Sequence, residues 1–225
     1  LRRRQRQMCI RDRSRVAEDG TFALAYAYMR IKSGYFDTAV VVGHGNVESP
    51  WELISNLIYD PHYFRPIGLC YITSLALQAT RYMNVYDVKE EHAAMVVVKN
   101  REYGAENPYA HKRSKVTVED VLNSKIVSWP LRELEIPPKS QGACALILAE
   151  ENLARRLSDT PIWIDGIAWS VDTYYLGCKE LAELKPAEVA SRKAYKMAGI
   201  ENPLKDFSLA EVYDITPYHE LMAYE

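Results

Sequence analysis

The sequence carries almost no excess of charge. Its 28 Lys and Arg stand against 30 Asp and Glu over 225 residues, for a formal net charge of -2. That balance supplies neither the basic field of a nucleic-acid binder nor that of a membrane-surface protein. No apolar run is long enough to span a bilayer, and the first residues lack the apolar stretch of a secretory signal. The expectation is therefore a soluble cytoplasmic protein, without nucleic-acid or membrane partners. Cysteine is sparse, and Cys9, Cys70, Cys144 and Cys178 contain no CxxC pair. Reduced thiols are expected rather than a disulfide frame or a zinc site, and no metal is expected. Phenylalanine is also scarce, at 4 residues against 16 tyrosines. Phenols bring polar tips into apolar places, so they are open both to chemistry and to amphipathic packing. The 48% of hydrophobic residues is enough for a full core in one or two globular domains.

The stretch from Arg15 to Ser49 organises the rest. Glu18 and Asp19 suit a helix N-terminus, Phe22, Ala25, Tyr26 and Met29 recur at three- and four-residue spacing, and Gly34 ends the run. The spacing predicts a helix over 17–33. The segment DTAVVV, Asp37 to Val42, has no polar alternation, which predicts a strand covered on both faces. Gly142 to Ala149 reads the same way, and the two are expected to be neighbouring buried strands with the first helix against their sheet. Further helices are predicted from Gly68 to Asn84, Lys89 to Tyr103, Glu150 to Leu157 and Pro186 to Gly199. Strands are predicted from Ile162 to Val171 and from Ser208 to Tyr213. Between the first strand and the second helix, HGNVESPWELISNLIYDPHYFRPIG is broken by Pro50, Pro61 and Pro66 and reads as a loop packed by its own aromatics.

Several of these segments together resemble the thiolase superfamily, in its archaeal and sterol-carrier-protein-x branch. The pattern I-x-SG-x-x-D-x-A-V-V-VG lies in Ile31 to Gly43, and SQGACALILA resembles the family's S-DGAAA-x-x-LA. The run VVKNREYGAENPYAHKRSKVTVEDVLNSKIVSWPLR is similar to KN-x-x-x-A-x-x-NP-x-A followed by T-x-EDVL-x-S. LAEVYDITPYHELMAYE resembles VAEVHDAFT-x-x-EL-x-x-E. The resemblance implies an α/β, duplicated layered fold (α-β-α-β-α), incomplete here at both ends. It divides the chain into a basic segment 1–14, an N-terminal half 15–158 with an excursion over an acyl-CoA tunnel, and the start of a C-terminal half, 159–225. MCIRDRS within the basic segment resembles translated sequencing-adapter sequence, so 1–14 is expected to be non-native.

The same resemblance assigns site residues. It places Ala17 at the family's nucleophilic cysteine and Tyr213 on the histidine that helps polarise the thioester carbonyl. Covalent acyl transfer through position 17 is then impossible. A branch resembling the sterol side-chain aldolases also lacks the cysteine and carries Y-D-x-x-x-Y, matched by Tyr213, Asp214 and Tyr218. Tyr213 and Tyr218 are thus candidate catalytic phenols, against the alternative of packing beside a tunnel. His111, Lys112, Arg113 and Lys115 form a basic cluster that suits coenzyme A phosphates or, equally, open solvent. Three functions stay open: a carbon-carbon lyase on an acyl-CoA thioester using retro-aldol chemistry, a conventional acetyl-CoA acyltransferase with a corrupted N-terminus, and a non-catalytic acyl-CoA-binding subunit. The resemblance implies no cofactor beyond the coenzyme A of the substrate, a homodimeric core, and a small zinc-ribbon and OB-fold partner protein.

Overall fold

The computed structural model describes residues 16, 20–45, 56–57, 59–173 and 175–225. The proposed nucleophile position, Ala17, and the basic segment 1–14 lie outside them. The chain divides into two compact units, one from the described residues of 1–46 and 141–168, the other from those of 47–140 and 169–225.

In the first unit, helix α1 (Gly20–Lys32) leads through Gly34, at φ 70°, into strand β1 (Thr38–Gly45). A glycine suits that left-handed turn because it has no Cβ to clash. β1 pairs antiparallel with the later strand Gly142–Ala149, in a register running from Thr38 opposite Ala149 to Gly45 opposite Gly142. α1 packs on this ribbon with Ala25 and Ala27 buried. A Cβ on Gly43 would stand 3.4 Å from the Cα of Gly20, so the helix start crosses the strand at a distance that two glycines permit. The two apolar runs are therefore neighbours, but they are not covered on both faces. Val40 is 67% exposed and Ile147 78% exposed. A two-stranded ribbon with one helix laid across it leaves its other face open, which corrects the expectation of fully buried strands.

In the second unit, α2 (Tyr71–Tyr86) and α3 (Glu90–Glu106) are followed by the short α4 (Val118–Asn123), capped by Thr117 accepting from the Asp120 amide. A small hairpin follows, β2 (Ile126–Ser128) with β3 (Leu131–Arg132), and the strand Gly142–Ala149 is β4. Helix α5 (Glu151–Leu157) belongs to the first unit, while α6 (Lys185–Ala198), α7 (Pro203–Asp206) and α8 (Pro217–Tyr224) complete the second. α3 is buried on two sides. Ala93 joins a cluster with Ala76, Ala79 and Tyr82 of α2, Leu131, Ala182, and Tyr218 and Met222 of α8. Ala94 and Val97 join another with Val121 of α4. Ala76 and Ala79 of α2 and Ala93 of α3 let these two helices approach closely, and α8 packs against both.

Neither of the strands predicted over 162–171 and 208–213 forms. Ile162, Val171 and Leu209 are exposed, and among the described residues no third strand joins the β1–β4 sheet. An extended apolar segment becomes a strand only when a neighbour takes up its backbone donors and acceptors. Among the described residues, no helix is long and apolar enough to cross a membrane.

Candidate active site

The C-terminal element of the second unit is fixed to α3 by a polar network centred on the buried Glu220. Two consecutive residues of α3 reach it, Lys99 and Asn100. The Asn100 amide donates to Asp214 Oδ2 and to Glu220 Oε2, each at 2.7 Å. Glu220 Oε1 accepts from Lys99 Nζ and from the Tyr224 hydroxyl, which themselves lie 2.7 Å apart. Glu220 is only 3% exposed, so its charge is tolerated because these three donors replace its water. Burial acts upward on the Glu220 carboxyl, and the bonds from Lys99, Tyr224 and Asn100 outweigh it, holding the group below its ordinary range. Asp214 moves the other way. Burial and the nearby Glu220 charge push it up, only partly opposed by Asn100.

At the start of α8, the Thr216 hydroxyl lies 2.7 Å from His219 Nδ1, and His219 Nε2 lies 2.6 Å from Gln78 Oε1 of α2. With Gln78 Oε1 accepting, Nε2 carries the ring proton and Nδ1 accepts from Thr216, which satisfies a neutral imidazole on both sides. Burial holds His219 down at about 4.

The two candidate phenols face opposite environments. Tyr213, next to the anchored Asp214, is 83% exposed. Tyr218 is 0% exposed, packed in the alanine-rich cluster, and its hydroxyl has no hydrogen-bond partner among the described residues. Burial, reinforced by the Glu135 and Glu90 carboxylates, pushes the Tyr218 phenol well above its ordinary value, so it stays protonated. Tyr218→Phe deletes an unsatisfied buried donor without changing the shape of the core. It is expected to stabilise the protein by about 1 kcal/mol, read as a higher denaturation midpoint; a lower midpoint would mean that the hydroxyl has a partner.

The basic cluster sits on the segment between α3 and α4, with all four side chains exposed. His111 Nδ1 lies 2.5 Å from the Ser140 hydroxyl, and Arg113 Nη2 donates to the Ala105 carbonyl at 3.4 Å. Among the described residues no group of His, Cys, Asp and Glu is arranged to hold a metal ion. The network residues Lys99, Asn100 and Glu220 were visible in the sequence only as letters of recurring motifs. The available signal was two polar residues directly after the apolar run Val96 to Val98 of α3, where a helix that is buried on two sides needs partners for them.

Glu135 and His219 give stability opposing slopes with pH. Burial raises Glu135 to about 7 from 4.5, against the pull of the Arg132 amide and charge. Its folded form takes up a proton before the unfolded chain does, so stability rises as pH falls from about 7 to about 4.5. His219 is depressed from 6.5, so its contribution is complete above about 6.5 and is lost as pH falls to about 4. Glu135→Gln removes the first slope only. The variant is expected to lose stability more steeply than the parent between pH 6.5 and 4.5, by on the order of 2 kcal/mol, in denaturant titrations at each pH. Parallel curves would refute the assignment.

No protein-family model matches the chain. It is 36% identical over 214 residues to an acetyl-CoA acetyltransferase of Methanocaldococcus jannaschii, across 92% of this chain and 53% of that protein. An acetyl-CoA acetyltransferase of Methanothermobacter thermautotrophicus is 33% identical over 210 residues, across 92% of this chain and 54% of that protein. The chain thus spans about half the length of these curated relatives. Among solved structures it is similar to the Ltp2-ChsH2(DUF35) aldolase, at 26% identity and a TM-score of 0.79, over 93% of this chain and 57% of that one.

The chain is thiolase-like in its sequence along 92% of its length. Its α/β architecture is thiolase-like, and the polar network ties together two of the segments that carry the resemblance, VVKN at the end of α3 and YDITPYHEL around α8. Tyr213, which the sequence resemblance sets at the family's histidine position, is an outward-facing phenol beside an anchored carboxyl.

Proposed function

We propose that the protein cleaves or forms the carbon-carbon bond beside an acyl-CoA thioester by aldol chemistry, without an acyl-cysteine intermediate. The observation that carries this reading is Tyr213. It faces outward, next to a residue held by Asn100, in a chain that has Ala17 where the resemblance puts the nucleophile. In the cleavage direction a base takes the proton of the β-hydroxyl, the bond between the α and β carbons breaks, and its electrons pass into the thioester enolate. The phenol of Tyr213 then delivers a proton to the α carbon. A phenolic O–H is a hydrogen-bond and proton donor and suits that role. The similarity to the Ltp2-ChsH2(DUF35) aldolase supports the same chemistry, and the pairing in that protein's name supports a second subunit, here the small zinc-ribbon and OB-fold partner. A homodimeric core and the contact of His111, Lys112, Arg113 and Lys115 with coenzyme A phosphates complete the proposal.

A second reading, a conventional acetyl-CoA acyltransferase, is favoured by the identity to the two archaeal enzymes. The reactions differ in one reagent. Thiolysis consumes free coenzyme A, whereas retro-aldol cleavage does not. The complete gene product is expected to cleave a β-hydroxyacyl-CoA with no free coenzyme A added. Turnover only of a β-ketoacyl-CoA, and only with free coenzyme A, would establish the acyltransferase instead. Acyl-CoA binding without either reaction would leave a non-catalytic subunit.

A further inference from the structure

The second unit holds a cavity of about 660 Å³ that shares only Lys112 with the proposed coenzyme A contacts. The N-terminus of α2 opens into it through Cys70, and α3 contributes Arg101. Lys112, Asn56, Ser128 and Glu133 supply its other polar walls, and Ile136, Pro137 and Pro138 part of its apolar floor. Two partly buried residues of these walls each hold a shielded polar atom that no group among the described residues satisfies, Arg101 Nη1 and Asn56 Oδ1. A guanidinium nitrogen shielded from solvent and without an acceptor is costly unless a ligand supplies one.

The thiol in this cavity is itself poised. Cys70 is the N-cap of the sixteen-residue α2, so the free amides of the first turn point toward its sulfur. Its backbone amide donates to the Thr73 hydroxyl at 2.8 Å, and that hydroxyl lies 3.5 Å from Sγ. Burial acts upward on the thiol, and the Thr73 amide and hydroxyl outweigh it, leaving the group below its ordinary value. Arg101 and Lys112 against the single carboxylate of Glu133 make the walls cationic on balance.

We infer that the cavity is a thiol-modification site, in which Cys70 exchanges with a small organic disulfide that carries negative charge. The Cys70 thiolate attacks one sulfur of the disulfide. A new bond forms between Sγ and that sulfur, the original sulfur-sulfur bond breaks, and the other half leaves as a thiolate. No further oxidant is needed. Arg101 and Lys112 recognise the charge of the incoming group, and Arg101 Nη1 gains the acceptor it lacks.

The test is a labelling race within the folded chain. Cys144 and Cys178 are both exposed and serve as internal references. With the dianionic disulfide 5,5′-dithiobis(2-nitrobenzoate), peptide mass analysis at short times is expected to show Cys70 modified faster than either reference by roughly tenfold. With the neutral 4,4′-dithiodipyridine that advantage should shrink several-fold, because only the anion is drawn by the cationic walls. Arg101→Gln should shrink it in the same way with the anionic reagent, and reductant should restore the free thiol. Cys70 reacting no faster than Cys144 and Cys178 would overturn the inference. An equal preference for the neutral reagent would overturn the anionic ligand class. The two-reagent comparison needs no variant, so it decides the matter even where Arg101→Gln fails to fold.

Discussion

Replacing Tyr213 with Phe is expected to lower turnover of a β-hydroxyacyl-CoA by about a hundredfold and to leave its KM nearly unchanged. Tyr213 is exposed and belongs to neither buried cluster, so loss of its hydroxyl takes away a proton donor and almost nothing else. A donor that acts only as the enolate is protonated lowers kcat and kcat/KM together. The buried phenol supplies the control, since Tyr218→Phe alters the same chemical group in the same short segment but behind the core. Measured in the complete gene product, normal turnover by Tyr213→Phe would return this ring to the wall of the tunnel. A loss confined to Tyr218→Phe would move the acid to the inner position and require the core around it to open.

The split between these two tyrosines was not legible in the sequence. Both stood in one Y-D-x-x-x-Y pattern, and residue spacing alone does not tell which ring turns inward when a loop passes into a helix. Pro217 at the first position of α8 sets that passage, because it fixes the backbone as the helix begins and leaves Tyr218 on the inner face. The helices were legible because their patterns are local. α2, α3 and α6 fall within a few residues of the apolar periodicity and the Gly199 stop. Strand pairing is non-local and only partly encoded in such patterns. β1 and β4 were identified as neighbours from two unbroken apolar runs, yet the same runs suggested cover on both faces that the ribbon does not have. The segments 162–171 and 208–213 carry strand-like residues without a strand beside them, and composition does not reveal a missing partner.

Removing the Glu220 carboxylate is expected to have the largest effect on stability. In Glu220→Ala, Lys99, Asn100 and Tyr224 lose a shared acceptor at a buried site, and the cost is on the order of 3 kcal/mol. The value sits at the low end for a buried pair because Lys99 is 42% exposed and recovers water when its partner goes. A surface pair gives the scale. Arg81 and Glu180 make two good bonds, at 2.8 and 2.9 Å, but both side chains are well exposed, and Arg81→Ala should cost far less than Glu220→Ala. Bond lengths alone would rank that surface pair among the strongest interactions of the fold; burial reverses the ranking, because an exposed group exchanges one set of hydrogen bonds for another with water. Glu220→Gln is the informative intermediate. It keeps an oxygen for Lys99 and Tyr224, turns an amide N–H toward the Asn100 amide and removes the charge that raises Asp214, so the Asp214 carboxyl should titrate lower while the Lys99 contact survives. Thermal and denaturant unfolding of the three variants measures the order directly. If Glu220→Ala costs no more than Arg81→Ala, the network does not hold α8 to α3, and the position of Tyr213 is set by the apolar cluster instead.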